Sequence, residues 1–189
     1  MGWGGEVSDE MSARRADATA VTLAPHDPDW LRTATAEAAR IAAGIGPAIL
    51  RVEHIGSTAI PGIVAKPTID LMPLVRNHND LDACRAPMEA LGYRWRGEYG
   101  IAGRRYSVME RDGRRLFHVH IFAEGNGNVA RHIAFRDYLR AHRDEAMAYE
   151  AAKRAAAEAH PRDSLAYTNH KSAWIDACLE RAQAWAAAR

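Results

Sequence analysis

The sequence predicts an α+β fold, and two features of its 189 residues support that class. Short segments in which apolar and polar residues alternate occupy the region before about residue 125. The region after Gly127 is rich in alanine and arginine, a composition that favours helices. Strands that come first and helices that come last are typical of an α+β domain rather than of repeated strand–helix units.

The first part of the chain is predicted to hold the strands. Residues 1–18 are rich in glycine, serine and charged residues, and we expect them to form a disordered tail. The predicted elements that follow are a strand at 21–23, a helix at 30–45, strands at 48–55 and 68–75, a helix at 79–91 and several short strands between 93 and 122. Asp27-Pro28-Asp29 is typical of a helix start, and Asp112-Gly113 indicates a hairpin among the short strands.

The last part of the chain is predicted to be helical. Three helices fit the sequence, at 128–142, 144–159 and 163–187, and Pro161 separates the last two. We therefore expect a single domain over residues 19–189. Its sheet-containing part would cover about 19–125 and its helical part about 128–189.

Composition limits the classes of function. The chain has 25 basic and 24 acidic residues, and its net charge of +1 argues against an extended nucleic-acid surface, which is usually strongly basic. Its two cysteines, Cys84 and Cys178, form neither a metal-binding spacing nor a disulfide framework. No apolar run reaches the roughly 18 residues of a membrane span, so a cytoplasmic location is the default expectation.

A glycine-containing turn joins the two longest predicted strands of the first half. Gly56-Ser57-Thr58 ends the first strand, and Lys66 precedes the second. Glycine allows close approach of a ligand to the backbone, while the two hydroxyl groups and the lysine suit phosphate oxygens. The alternative is a tight turn between two buried strands, and the spacing alone does not decide between them.

Two polar features lie within otherwise apolar strands. In TIDLMPLV, Asp70 shares one face with Met72, and a carboxylate in such surroundings must be paired, solvated in a cleft or bound to a cation. In LFHVHIF, His118 and His120 lie side by side on one face of a strand, where they suit metal binding or contact with an anion. Salt bridges and hydrogen-bonded histidines are the structural alternatives.

The helical part offers cationic side chains at helical spacing. The first group is predicted to share one side of a helix and consists of His132, Arg136, Arg140 and Arg143. Tyr149 and Lys153 are four residues apart, as are Tyr167 and Lys171, so each pair shares a helix face. Such residues line a phosphate site or form a solvated surface in which lysine stems cover aromatic rings.

Six blocks in a fixed order connect these features to a known family. EHIGST, KPTID, HVH, FRDYLRAH, YEAAK and YTNHK occur in that order over roughly residues 20–185 and resemble the GrpB-like family of predicted nucleotidyltransferases. The resemblance implies a small mixed sheet with flanking helices, a triphosphate held at Gly56 and Ser57, and a divalent metal at Asp70. Similar domains also occur fused to dephospho-coenzyme A kinase.

The hypothesis built on this resemblance assigns a role to each candidate residue. Asp70 and Ser57 are the catalytic candidates, and Asp70, His118 and His120 are the candidate metal ligands. The candidates for binding a nucleotide or another phosphorylated small molecule are His54, Gly56, Ser57, Thr58, Lys66, Arg136, Lys153 and Lys171.

One departure from the wider superfamily keeps three functions open. Working members usually place a second carboxylate two residues after the first, and this chain has Met72 there. The first interpretation is a nucleotidyltransferase that uses Mg or Mn and transfers a nucleotidyl group, which we expect to be AMP, to an unknown acceptor. The second is a non-catalytic nucleotide- or coenzyme A-binding module. The third is an Asp/His metal enzyme that uses no nucleotide.

The identity of the metal depends on which ligands join Asp70. If both histidines bind the ion, the two-histidine, one-carboxylate set favours Mn, Fe, Ni or Zn over Mg. If Glu53 or Glu110 joins Asp70 instead, oxygen ligands suit the Mg²⁺ that accompanies a nucleotide.

Overall fold

The computed structural model describes residues 20–189, so the predicted tail at 1–18 lies outside the described residues. The strands are β1 (Ile49–Ile55), β2 (Ile69–Val75), β3 (Arg94–Trp95), β4 (Arg104–Arg111) and β5 (Arg114–Ala123). The helices are α1 (Asp29–Ile45), α2 (Asp80–Ala83), α3 (Arg85–Ala90), α4 (Gly127–Ala141), α5 (Arg143–Ala159), α6 (Ser164–His170) and α7 (Ser172–Ala187). One turn of 3₁₀ helix, Ser57–Ala59, follows β1.

The strands form one mixed sheet in the order β1-β2-β5-β4-β3. Strands β2 and β5 are parallel, and the other three neighbouring pairs are antiparallel. The hairpin predicted at Asp112-Gly113 joins β4 to β5, and both residues have positive φ, as this kind of tight turn requires. The predicted α+β class, with a mixed sheet and a helical C-terminal region, is confirmed.

The two faces of the sheet pack against different helices. Leu71 and Val119 lie on the face that α1 covers, in a cluster that includes Trp30 and Ile41. The opposite face carries Met72, in a second cluster with Ile55, Leu74, Phe122 and, from α4, Val129. This division confirms the alternation predicted for β2. It also places Asp70 on the face that the C-terminal helices approach.

Two of the predicted elements in the first half are wrong in detail. No strand forms at 21–23, and only Ala24 pairs, in a single bridge to Ala65. In this antiparallel bridge, the next hydrogen-bonded partner on the 21–23 side would be Pro67, which has no amide hydrogen to donate. The predicted helix at 79–91 divides at Cys84, since Pro87 cannot donate the hydrogen bond that would continue it and instead occupies the first turn of α3.

Two predictions in the helical half also need correction. The predicted helix at 163–187 is divided at Lys171 into α6 and α7. Arg143 does not share a helix side with His132, because His142 adopts an extended conformation (φ −120°, ψ 93°) and α5 begins directly after it. No helix in the described part of the chain is both long and apolar enough to cross a membrane.

Candidate functional site

The turn after β1 presses directly against Asp70. Gly56 has φ 73° and ψ −172°, a conformation that is essentially restricted to glycine. Ile55 pairs with Asp70 across the β1–β2 ladder, so the turn begins beside that carboxylate. A Cβ atom at Gly56 would overlap Asp70 Oδ2 and lie 3.0 Å from the Asp70 Cβ. The glycine therefore allows a contact between backbone and carboxylate that no other residue would allow.

Asp70 meets the two predicted histidines across the parallel strand pair. In the β2–β5 register Asp70 lies opposite His118, and His120 is the next residue on the same face. Asp70 Oδ1 lies 3.2 Å from His118 Nδ1 and 3.5 Å from His120 Nε2. Burial raises the pKa of the Asp70 carboxyl, but hydrogen bonds and charge from the two histidines outweigh it and hold the pKa well below its usual range. The carboxylate is therefore ionised.

The cluster has the composition and spacing of a divalent metal site. Asp70, His118 and His120 each offer one ligand atom, and these atoms lie within 4.8 Å of one another. His118 Nε2 is buried and has no hydrogen-bond partner among the described residues. An unpaired buried nitrogen of this kind is expected where a ligand or an ion completes a site. The residues fit a divalent cation on these grounds.

Arg104 determines which nitrogen of His120 carries hydrogen. Its Nη1 lies 3.3 Å from His120 Nδ1, and a guanidinium can only donate. His120 Nδ1 therefore accepts, and Nε2, which faces Asp70, carries the hydrogen. Metal-binding histidines normally show the reverse arrangement, in which the second nitrogen donates to a carbonyl or carboxylate. His118 also donates to the carboxylate through Nδ1, but its Nε2 has no hydrogen-bond partner among the described residues. Asp70 and His118 Nε2 are thus the ligands that fit first, and His120 would bind the ion only after losing its Nε2 hydrogen.

A cavity of about 350 Å³ opens between this cluster and the helical part of the chain. Seven of the predicted site residues line it, namely Gly56, Ser57, Lys66, Asp70, His118, His120 and Lys171. The nitrogen of Lys66 lies 5.6 Å from the centre of the Tyr167 ring and that of Lys171 lies 5.1 Å from it. The amino groups of Lys66 and Lys171 therefore lie near the same Tyr167 ring, in the cavity that Asp70 also lines.

The cavity wall alters the acidity of Lys171. Burial lowers the pKa of this lysine to about 8, and the charge of Lys66 acts in the same direction, while Asp70 opposes both. Lys66 also donates a hydrogen bond of 2.7 Å to the Ser164 hydroxyl. Among the described residues that line the cavity, two lysines accompany a single carboxylate, and this balance of charge suits an anionic ligand.

Besides Lys153, three predicted binding residues lie outside this cavity. Thr58 is buried, and its hydroxyl lies 2.9 Å from His54 Nε2, so these two residues brace the turn from behind. Arg136 forms 2.7 Å contacts with Glu53 and with Asp137 and ties α4 to the edge of the sheet. The prediction that these side chains bind phosphate is not supported by their positions.

The oxygen-rich alternative for the metal is also not supported. Glu53 is paired with Arg136, and Glu110 is paired with Arg94 and Arg115 near the β4–β5 turn. Within residues 20–189, the cluster that could hold a metal around Asp70 contains neither glutamate. Met72 stands at the position where a second carboxylate would be expected from the resemblance, and it is buried in the core.

Lys153 lies behind the cavity wall. It is fully buried on α5, donates to the carbonyl of Val64, and its nitrogen lies 4.5 Å from the ring centre of Tyr149, which lines the cavity. Burial, with a smaller effect from the charge of Lys171, lowers the pKa of Lys153 to about 7. The predicted pairing of Tyr149 with Lys153 is therefore present, but the lysine supports the wall and does not face the ligand space.

This buried lysine should make stability depend on pH. The folded pKa of Lys153 lies below its ordinary value of 10.5, so between about pH 7 and pH 10 the unfolded chain binds more protons. The free energy of unfolding should therefore rise with pH in that range. Below about pH 7 this lysine is protonated in both the folded and the unfolded state, so it adds no further pH dependence. Urea denaturation at several pH values should show a smaller rise for Lys153→Met. Equal slopes for the two proteins would contradict the burial of a neutral amine.

Sequence reasoning did not assign several residues that line the same cavity. They are Ile55, Thr68, His132, Tyr149, Tyr167 and Thr168. The His132 ring lies 5.9 Å from the His120 ring, and burial, with the nearby His120, lowers its pKa to about 4. His132 was predicted only as part of a cationic helix side. The tyrosines shared a predicted face with lysines, and that pairing was the available signal.

Comparison with known proteins places the chain in a family. The family model described as GrpB protein matches residues 20–181. The chain belongs to the GrpB family. The resemblance predicted from the six sequence blocks is thereby confirmed.

Individual relatives of this GrpB-family chain include a solved structure. The GrpB protein of Enterococcus faecalis has 34% identity and a TM-score of 0.80, over 86% of this chain and 97% of that one. UPF0157 protein YqkA of Bacillus subtilis is 38% identical over 87% of this chain and 48% of its own length. A dephospho-CoA kinase of Mycolicibacterium paratuberculosis is 29% identical over 93% of this chain and 49% of its own length. The chain therefore spans about half the length of the last two proteins.

A lower structural similarity extends to Cid1 poly(U) polymerase. One structure of that protein, in complex with its short product ApU, has a TM-score of 0.48 and 11% identity over 79% of this chain and 46% of that chain. Similarity at this level supports no conclusion about function.

Proposed function

We propose that this GrpB-family chain is a metal-dependent nucleotidyltransferase, which transfers a nucleotidyl group, taken here as AMP, from a triphosphate to an acceptor. The observation that carries the proposal is the contact of the Gly56 turn with an ionised Asp70, opposite two lysines. This contact joins the two halves of the GSTAIPGIVAKPTID motif in one cavity. A triphosphate at the Gly56 turn and a divalent cation at Asp70 would therefore lie side by side.

Each wall of the cavity would have its own task. The backbone at Gly56 and the hydroxyl of Ser57 would contact phosphate oxygens from the turn that lies against Asp70. Lys66 and Lys171 would neutralise phosphate charge from the opposite wall. Catalysis of this kind depends mainly on positioning and on electrostatic stabilisation, and preorganised lysines in a partly buried cavity provide both.

Asp70 and His118 would hold the divalent metal. When bound, the metal would supply Lewis acidity at the α-phosphate. His120 would orient Asp70, because its Nε2–H points at Oδ1. In the overall reaction, an acceptor oxygen forms a bond to the α-phosphorus while the bond to pyrophosphate breaks and the acceptor loses its proton.

A non-catalytic binding module is the second candidate, and Met72 favours it. Met72 is completely buried in the cluster around Phe122, so the chain has no second carboxylate beside Asp70 on β2. The similarity to a dephospho-CoA kinase is consistent with a nucleotide-like or coenzyme A-like ligand. Such a module would use the same lysines and the same glycine turn without turnover.

Pyrophosphate release separates the two candidates. Metal-stripped protein would be supplied with ATP, CTP, GTP or UTP, first with Mg²⁺ and then with Mn²⁺, in the presence of a pool of small acceptors that carry hydroxyl groups. The nucleotidyltransferase proposal expects metal-dependent release of pyrophosphate from at least one triphosphate. Nucleotide binding without release under any of these conditions would favour the binding module.

A further inference from the structure

A second and larger cavity, of about 630 Å³, adjoins the candidate nucleotide site. The two cavities share Lys66, His118, His120 and Thr168 as lining residues. The far wall of the second cavity comes from β4 and from the loop before it, with Arg96, Tyr99, Arg104 and Tyr106. The proposed function leaves this space unassigned. Within residues 20–189, none of its lining residues carries a carboxylate.

Arg104 is the most unusual side chain of this cavity. It is only 6% exposed, and it donates to the carbonyls of Glu98 (3.2 Å) and Tyr99 (2.5 Å) and to His120 Nδ1 (3.3 Å). All three acceptors are neutral, and no carboxylate of the described residues forms a salt bridge with it. A buried guanidinium normally has an anionic partner, because desolvating an unpaired charge is costly.

The adjacent residue shows the ordinary arrangement. Arg105 lies on the other face of β4 and forms a two-pronged contact with Asp82, with distances of 2.5 and 2.8 Å. Arg104 has no equivalent partner within residues 20–189. The lack of an acidic partner is therefore particular to Arg104 in the cavity and is not shared by the neighbouring arginine of β4.

The aromatic residues of the cavity hold two guanidinium groups in place. Tyr99 and Tyr106 are stacked, with ring centres 5.2 Å apart and an interplanar angle of 22°. The Arg104 guanidinium carbon lies 4.8 Å from the Tyr106 ring centre, and that of Arg96 lies 5.9 Å from the Tyr99 ring centre. Stacking on aromatic faces leaves the planar edge of a guanidinium, where its N–H groups lie, free of aromatic contact. Arg104 has five N–H groups and donates three of them to the neutral acceptors, so one N–H on each Nη atom is left for an oxyanion.

The backbone of the loop also holds this arrangement. Tyr99 has φ 46°, which is uncommon for a residue with a bulky side chain, and the flanking Gly97 and Gly100 have φ 63° and 81°. This conformation directs the Tyr99 carbonyl to Arg104 and places the Tyr99 ring on Tyr106. Such strain is found where the surrounding structure fixes a functional geometry.

We propose that this second cavity is an acceptor subsite, in which Arg104 and Arg96 bind an oxyanion, either a carboxylate or a phosphate, of the molecule that receives the nucleotidyl group. The identification of the ligand as the acceptor rests on the proposed function, whereas the oxyanion site itself does not. Because Arg104 also contacts His120, and His120 contacts Asp70, an acceptor held here lies next to the proposed metal ligands.

The test is a site-resolved NMR titration of the full chain with two probes, sodium acetate and inorganic phosphate. We expect either probe to shift the backbone amide signals of Tyr99 and Gly100. In Arg104→Met the dissociation constant should rise about tenfold or more, the size expected for loss of charged hydrogen bonds. In the control Arg105→Ala it should be unchanged. The probe that binds more tightly identifies the oxyanion as carboxylate or phosphate.

A second pair of variants separates this subsite from the nucleotide site. Lys171→Met should keep acetate or phosphate binding at Tyr99 and Gly100, whereas Arg96→Ala, which removes a guanidinium stacked on Tyr99, should keep metal-dependent ATP binding. If Arg104→Met does not fold, Arg96→Ala must weaken the probe instead. The proposal is overturned if neither probe shifts these amides, if removal of either arginine changes nothing, or if Arg96→Ala loses ATP binding together with the probe.

Discussion

Asp70→Asn is expected to weaken metal-dependent nucleotide binding by about a hundredfold or more while the protein stays folded. The substitution keeps the shape of the side chain but removes the negative charge that a divalent ion requires, and metal affinity depends strongly on ligand charge. Asparagine can still accept a hydrogen bond from His118 or His120 through its amide oxygen. Calorimetric titration with ATP and Mn²⁺ measures the binding, and circular dichroism measures the fold.

The control for this experiment is a carboxylate outside the cavity. Asp82 is 73% exposed and pairs with Arg105 on the opposite face of β4. Asp82→Asn should leave nucleotide binding unchanged. If Asp70→Asn unfolds the chain, or binds metal and nucleotide like the wild type, Asp70 has a structural role and the site assignment is wrong.

Gly56→Ala is expected to abolish detectable nucleotide binding and to lower stability. The new Cβ would occupy the position of Asp70 Oδ2, so either the carboxylate or the turn must move. The backbone conformation of Gly56 adds a penalty of about 1–3 kcal/mol for any residue with a side chain. The loss of binding would be measured by the same titration, and the loss of stability by urea denaturation.

Gly46 provides a matched control for the backbone term. It has φ 82° and ψ −148°, close to the conformation of Gly56, but a Cβ there would meet no atom within 4 Å. Gly46→Ala should therefore lose the same backbone contribution of about 1–3 kcal/mol and keep full nucleotide binding. Normal nucleotide binding by Gly56→Ala would show that the contact with Asp70 has no part in the site.

Much of the site could be predicted from local patterns. Period-two alternation correctly placed Asp70 on one face of β2, and placed His118 and His120 together on β5. The Gly-Ser turn and the family blocks joined these features in one hypothesis before any contact was known. What alternation could not give is the parallel pairing of β2 with β5, since the 38 residues at 76–113 that connect them include two other strands.

The predicted cations that lie outside the cavity do so for a common physical reason. Helical spacing tells which side chains share a face, but it does not tell what that face meets. Arg136 meets Glu53 at the sheet edge, and Lys153 meets the backbone of Val64, so neither cation reaches the cavity. Arg104 carried no local signal, because its significance comes from burial without an acidic partner, which only the tertiary structure shows.

The most direct test of the central claim is calorimetric titration of the metal-stripped wild-type protein with ATP, CTP, GTP and UTP, without metal and then with Mg²⁺ or Mn²⁺. We predict that at least one triphosphate binds and that the metal strengthens its binding. No binding of any triphosphate under these conditions would contradict the claim that the Gly56 turn, Asp70 and the two lysines form a metal-nucleotide site.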